Sequence, residues 1–94
     1  MRKAYIFVYD AKTGTREQVQ AAIDKMPEIL NWRRDTIPNM FYIISNESAQ
    51  TLADLIKEAF PQACAFLIIE ASENRQGYLT KKSWEMLGEK PLPS

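Results

Sequence analysis

Apolar residues along this chain gather into short runs and helical stripes, in the order run, stripe, run, run, stripe, run. Lys3 to Tyr9 is apolar at nearly every position, which predicts a central strand covered on both faces. Lys12-Thr13-Gly14 predicts a turn, and Thr15 with Gln18 makes a capping box that opens a helix. Val19, Ala22, Ile23 and Met26 form its apolar stripe. Pro27 ends it, because the residue before a proline is pushed out of helical space. Asn31 to Ile37 alternates imperfectly and predicts a polar edge strand. Pro38-Asn39 then turns the chain into Met40 to Ser45, a second buried strand that completes a hairpin. Ser48 caps a second helix with Leu52, Leu55, Ile56 and Ala59 on one face, closed by Pro61. Cys64 to Ala71 predicts the fourth strand.

The tail departs from this rhythm. Ser72 to Gln76 predicts a loop, Gly77-Tyr78-Leu79 a short extended piece, and Thr80 the cap of a brief helix through Trp84 and Leu87 to Gly88. Two right-handed crossovers sharing a hairpin give a four-stranded antiparallel sheet with both main helices on one face. The expectation is therefore an α+β, ferredoxin-like βαββαβ domain over residues 1–88. Residues 72–88 are its C-terminal extension, and 89–94, with Pro91 and Pro93, a fraying tail. The other face of such a sheet needs a cover, either the C-terminal segment or a second copy of the chain.

Composition narrows the chemistry. Ninety-four residues make one domain, since chains divide only at about 250–300 residues. A domain this small buries only about 60–65% of its unfolded surface, so a partner subunit would help it. Twelve basic and twelve acidic side chains cancel, so composition indicates no strongly basic nucleic-acid surface, although a local patch remains open. No apolar run approaches bilayer-spanning length, and Met1-Arg2-Lys3 does not open a secretory signal, so no membrane partner and a cytoplasmic location are expected. Cys64, the single cysteine, reads as a small hydrophobe in a strand. The lack of histidine removes Ser-His-Asp and Cys-His catalysis and the usual zinc sites. Catalysis would have to use carboxylates, hydroxyls, Lys, Arg or a hard metal held by oxygen.

Asp10, where the first strand opens into a loop, is the first candidate. It reads either as a ligand for Mg²⁺ or Mn²⁺, paired with its mate across a dimer axis for phosphodiester attack, or as a residue bonded to its own turn. Arg16, in the first turn of the first helix, is unfavourable to the helix dipole and so is open to another use. Trp32, Arg33 and Arg34 suit phosphate contact and base stacking, or else an edge strand guarded by charge with Trp32 folded onto the core. Tyr9 and Tyr42 lie within apolar runs and read as core or interface. Arg75, Lys81 and Lys82 stand near Tyr78 and Trp84, in an aromatic tail suited to covering a sheet face, its own or a neighbour's. Glu70, at the margin of one sheet face, and Glu73 are the remaining acids of interest.

Tyr5-Ile6-Phe7-Val8-Tyr9-Asp10, Asn31-Trp32-Arg33, Phe66-Leu67-Ile68-Ile69-Glu70 and Gly77-Tyr78-Leu79 through Trp84 carry a resemblance over residues 4–87. The chain resembles the small CRISPR-associated integration-complex protein and virulence-associated protein D, and more closely the compact bacterial proteins labelled SinR-like. The resemblance implies a ferredoxin-like homodimer whose C-terminal segment, with Tyr78, Leu79 and Trp84, contacts the partner. It also places Asp10 where the nuclease members hold their metal; a phosphodiesterase reading would add Arg33, Arg34 or Arg16 to steer phosphate. The readings in order are a non-catalytic dimeric scaffold or binding module, a Mg²⁺- or Mn²⁺-dependent phosphodiesterase, and a small-ligand sensor at the dimer interface.

Overall fold

A computed structural model of the chain describes residues 1–62, 65–73 and 76–93. Strand β1 (Lys3–Tyr9) leads through one turn of 3-10 helix, Ala11–Thr13, into α1 (Arg16–Asp24). Then follow β2 (Ile29–Arg33), β3 (Met40–Ser45), α2 (Ala49–Ala59), β4 (Phe66–Glu70) and α3 (Lys81–Glu89). The strands form one antiparallel sheet in the order β2-β3-β1-β4. This is the ferredoxin-like βαββαβ arrangement with a third helix appended. No helix among the described residues is long and apolar enough to cross a membrane.

Alternation along the strands sorts the core into two layers. Tyr5, Phe7 and Tyr9 of β1 with Phe41 and Ile43 of β3 face α1 and α2, meeting Val19, Ile23, Leu52 and Ile56. Each of these fully buried aliphatic or phenyl side chains contributes about 1.5–3 kcal/mol relative to exposure. On the opposite face Ala4, Tyr42 and Ile44 meet Met86 and Leu87 of α3. The chain's own tail therefore covers the second face, but only in part. Val8, Leu67 and Ile69, on the same face toward the β4 edge, stay 41%, 58% and 51% exposed.

Local chemistry accounts for the helix starts. Thr15 accepts from Gln18 N while the Gln18 side chain reaches back to Thr15 N, closing the expected capping box. A Cβ at Gly14 would lie 3.0 Å from that Gln18 oxygen, so glycine leaves the box room to close. Ser48 and Thr80 cap α2 and α3 as their side chains predict. Asn39 turns the hairpin with φ at 56°, a left-handed conformation that asparagine tolerates.

The second strand differs from the expected Asn31–Ile37. It begins two residues earlier and stops at Arg33. Ile29 reaches the helix-side core and Leu30 the other layer, with a bulge between Ile29 and Asn31 resetting the register. Ile37, 41% exposed, lies in the connection instead. In the second helix Ala59 is exposed, and Phe60 supplies the buried residue at that end. Of the expected fourth strand, Cys64 lies outside the described residues, as does Arg75 of the tail's basic group. Helix α3 runs one residue past Gly88, and Asn31 Nδ2 ties the tail by donating to Pro91 O at 2.9 Å.

Candidate functional site

Asp10 follows β1 directly, and its main chain is fixed by Asp10 N donating to Ala65 O at 2.9 Å. Its Oδ1 accepts from Lys12 N at 2.8 Å, capping the 3-10 turn. That is the turn-bonded arrangement weighed for it above. A hard cation takes six or more oxygen ligands. Among the described residues no three acidic, histidine or cysteine side chains gather to hold one.

The arginines divide between two places. Arg16 and Arg34 both act on the Tyr9 phenol: burial raises its pKa, and the two guanidiniums pull it back down. Arg34 Nη1 stands 3.7 Å from Glu17 Oε2, an ion pair too long to be a hydrogen bond, at a site exposed enough that the pair contributes little. Arg33 points toward α3, where its Nε donates to Ser83 Oγ at 3.3 Å. Arg33, Arg34 and Lys82 border a groove of about 420 Å³ between β2 and α3, with Glu85 on the same wall. Trp32 is not a free stacking platform. Its ring packs edge-on to Phe41 at 5.7 Å and its Nε1 donates to Asp24 Oδ1 at 2.9 Å.

Beside this groove lies a polar network that leaves little trace in the sequence. Asp35 Oδ2 accepts from Thr80 Oγ1 at 2.8 Å and from Ser83 Oγ at 2.6 Å, and its Oδ1 from Thr36 N at 2.8 Å. Bonds from Ser83, Thr80 and Thr36, aided by the Arg33 charge, hold its carboxyl down at about 2. The network fastens the N-terminus of α3 to the β2–β3 connection. The only signal for it in sequence is Thr80 with Ser83 at cap spacing, which says nothing of Asp35.

A cleft of about 430 Å³ opens on the second sheet face between α3 and β4, lined by Ile6, Met40, Tyr42, Ile69, Leu79 and Trp84. Leu79 and Trp84 pack partly on the chain's own core, whereas Tyr78, on the lip, is fully exposed. Tyr42 is buried, and burial raises its phenol while the nearby Ser83 hydroxyl opposes the shift. Its Oη nevertheless closes no hydrogen bond of full geometry. With Val8 and Leu67, the outer lip of the cleft extends into one apolar strip running to the free edge of the sheet.

Comparison of the chain with protein-family models, with curated proteins and with solved structures gives no match. The ferredoxin-like assignment therefore rests on strand order and register alone.

Proposed function

We propose that this chain is a small homodimeric module that scaffolds or binds another molecule and is not itself a catalyst. The supporting observation is the apolar strip of Val8, Leu67 and Ile69 with Tyr78 beside it, exposed on a domain too small to leave such surface idle. Neutral net charge agrees with this reading, because no long-range repulsion keeps two copies apart. A nucleic-acid partner would have to be held locally, at the groove of Arg33, Arg34 and Lys82. A cytoplasmic location suits the module but is part of the same proposal.

Sedimentation velocity at tens of micromolar tests the reading. The native chain is expected to sediment as a dimer and Leu67→Glu as a folded monomer, because position 67 is exposed and the new charge meets only the partner. A native chain that sediments as a monomer throughout overturns it.

A further inference from the structure

The outer rim of β4 has a pattern of its own. Asp10 N donates to Ala65 O and Ala71 N to Ala4 O, in the same register that sets Val8 opposite Leu67 and Ile6 opposite Ile69. In an antiparallel ladder hydrogen-bonded pairs alternate with non-bonded ones. Residues 65, 67, 69 and 71 thus turn their backbone groups toward β1. Phe66, Ile68 and Glu70 turn theirs outward, and no described strand lies beyond them.

Sheet edges are ordinarily guarded by charge, proline, bulges or a covering segment. The opposite edge obeys this: β2 has a bulge at Ile29/Asn31, ends in Arg33 and is tied to Pro91. Among the described residues β4 has none of these devices apart from the charge of Glu70 at its end, and its pairing with β1 runs without a shift in register. A groove of about 370 Å³ follows the rim, bordered by Ala49, Gln50 and Ala53 of α2 and by Phe66, Leu67 and Ile68 of β4.

We propose that β4 pairs antiparallel with β4 of a second copy about a two-fold axis at Ile68, joining two four-stranded sheets into one of eight. This rests on the dimer reading and specifies its geometry. The strand is its own complement in that register. Ile68 exchanges both backbone bonds with Ile68 of the partner subunit, and Phe66 does so with Glu70 of the partner subunit, so every outward group of β4 is used. Centring the axis on Glu70 instead would set two carboxylates face to face, which is unfavourable. A five-residue strand falls short of the roughly 800 Å² per partner of a standard interface. The flanks of Leu67 and Ile69 add some area, each against the other residue of the partner subunit as cross-strand neighbours on the same face.

In this register Leu67 lies directly opposite Ile69 of the partner subunit, while the two Leu67 positions are diagonal neighbours. The test uses full-length Leu67→Cys and Ile69→Cys, each in a Cys64→Ser background, oxidised alone and as a refolded equimolar mixture. Both positions are exposed, so the fold tolerates the changes, and circular dichroism checks this. The mixture is expected to yield covalent dimer of one chain of each kind, on the order of tenfold above either variant alone, because a disulfide needs Cα atoms within about 7 Å. Equal yields alone and mixed, or none in the mixture while sedimentation still shows a dimer, overturn the pairing and leave the dimer reading intact. A monomer by sedimentation overturns both.

Discussion

Asp35 shows how one side chain decides where a helix sits. It is the common acceptor for Thr80, Ser83 and Thr36, and the ionised carboxylate accepts all three as charge-assisted bonds, stronger than those to the neutral acid. Its folded pKa of about 2 lies below the ordinary carboxylate value, so the stability it contributes is complete above pH about 4 and fades as pH falls toward 2. Asp35→Asn should lower Tm at pH 6, and the difference from the native protein should shrink on acidification to pH 2. A gap that stays constant across a thermal-melt series at those pH values would show that the charge of Asp35 does not secure α3. Burial acts with the opposite sign on Tyr5, Tyr9 and Tyr42, whose phenols are all raised above 10. Their contribution is complete below pH 10 and is lost as alkali ionises them in the unfolded chain first. Asp10 caps its own turn, its Oδ1 accepting from Lys12 N. Under the non-catalytic reading, RNA and DNA incubated with Mg²⁺ or Mn²⁺ should survive the native protein and Asp10→Asn alike, and cleavage lost in the variant would restore the phosphodiesterase.

At the scale of elements, α3 is the part that departs from a plain βαββαβ domain. Met86 and Leu87 are its buried anchors, seated on Ala4, Tyr42 and Ile44. Met86→Ala should cost about 2–5 kcal/mol in urea unfolding, as truncations in packed cores do. A cost below 1 kcal/mol would mean that α3 rests on the sheet without packing into it. Which elements were legible in sequence follows from how local their causes are. Thr15 with Gln18, Ser48 and Thr80 place three helix starts because a cap is decided within four residues. β2 lies two residues earlier than its local pattern predicts, because its register depends on pairing with β3 across a bulge, which no local pattern reveals. The candidate surface was harder still. The run of apolar residues from Phe66 to Ile69 marks a strand but not which of its positions are covered, and the reach of α3 leaves Leu67 and Ile69 in solvent. Trp32 could be placed on the core by analogy with guarded edges, but its bond to Asp24 depends on α1 packing against β2.

For the molecule as a whole, the question is what a neutral domain of this size does with one unguarded edge and one apolar strip. If two copies pair along that edge, folding and association are linked, and stability must depend on concentration. A tenfold rise in concentration adds about 1.4 kcal/mol per dimer, or about 0.7 per chain. In a domain of this length each kcal/mol moves Tm by roughly 4–8 °C, so the expected slope is about 3–6 °C per decade of protein. Because the contact is apolar and the net charge zero, the slope should change little with salt, unlike one built on ion pairs. Leu67→Glu should flatten it, since the variant melts as a monomer at every concentration. A native protein whose Tm is the same over two decades of dilution would be a monomer, and the strip would then have to be matched by a different molecule.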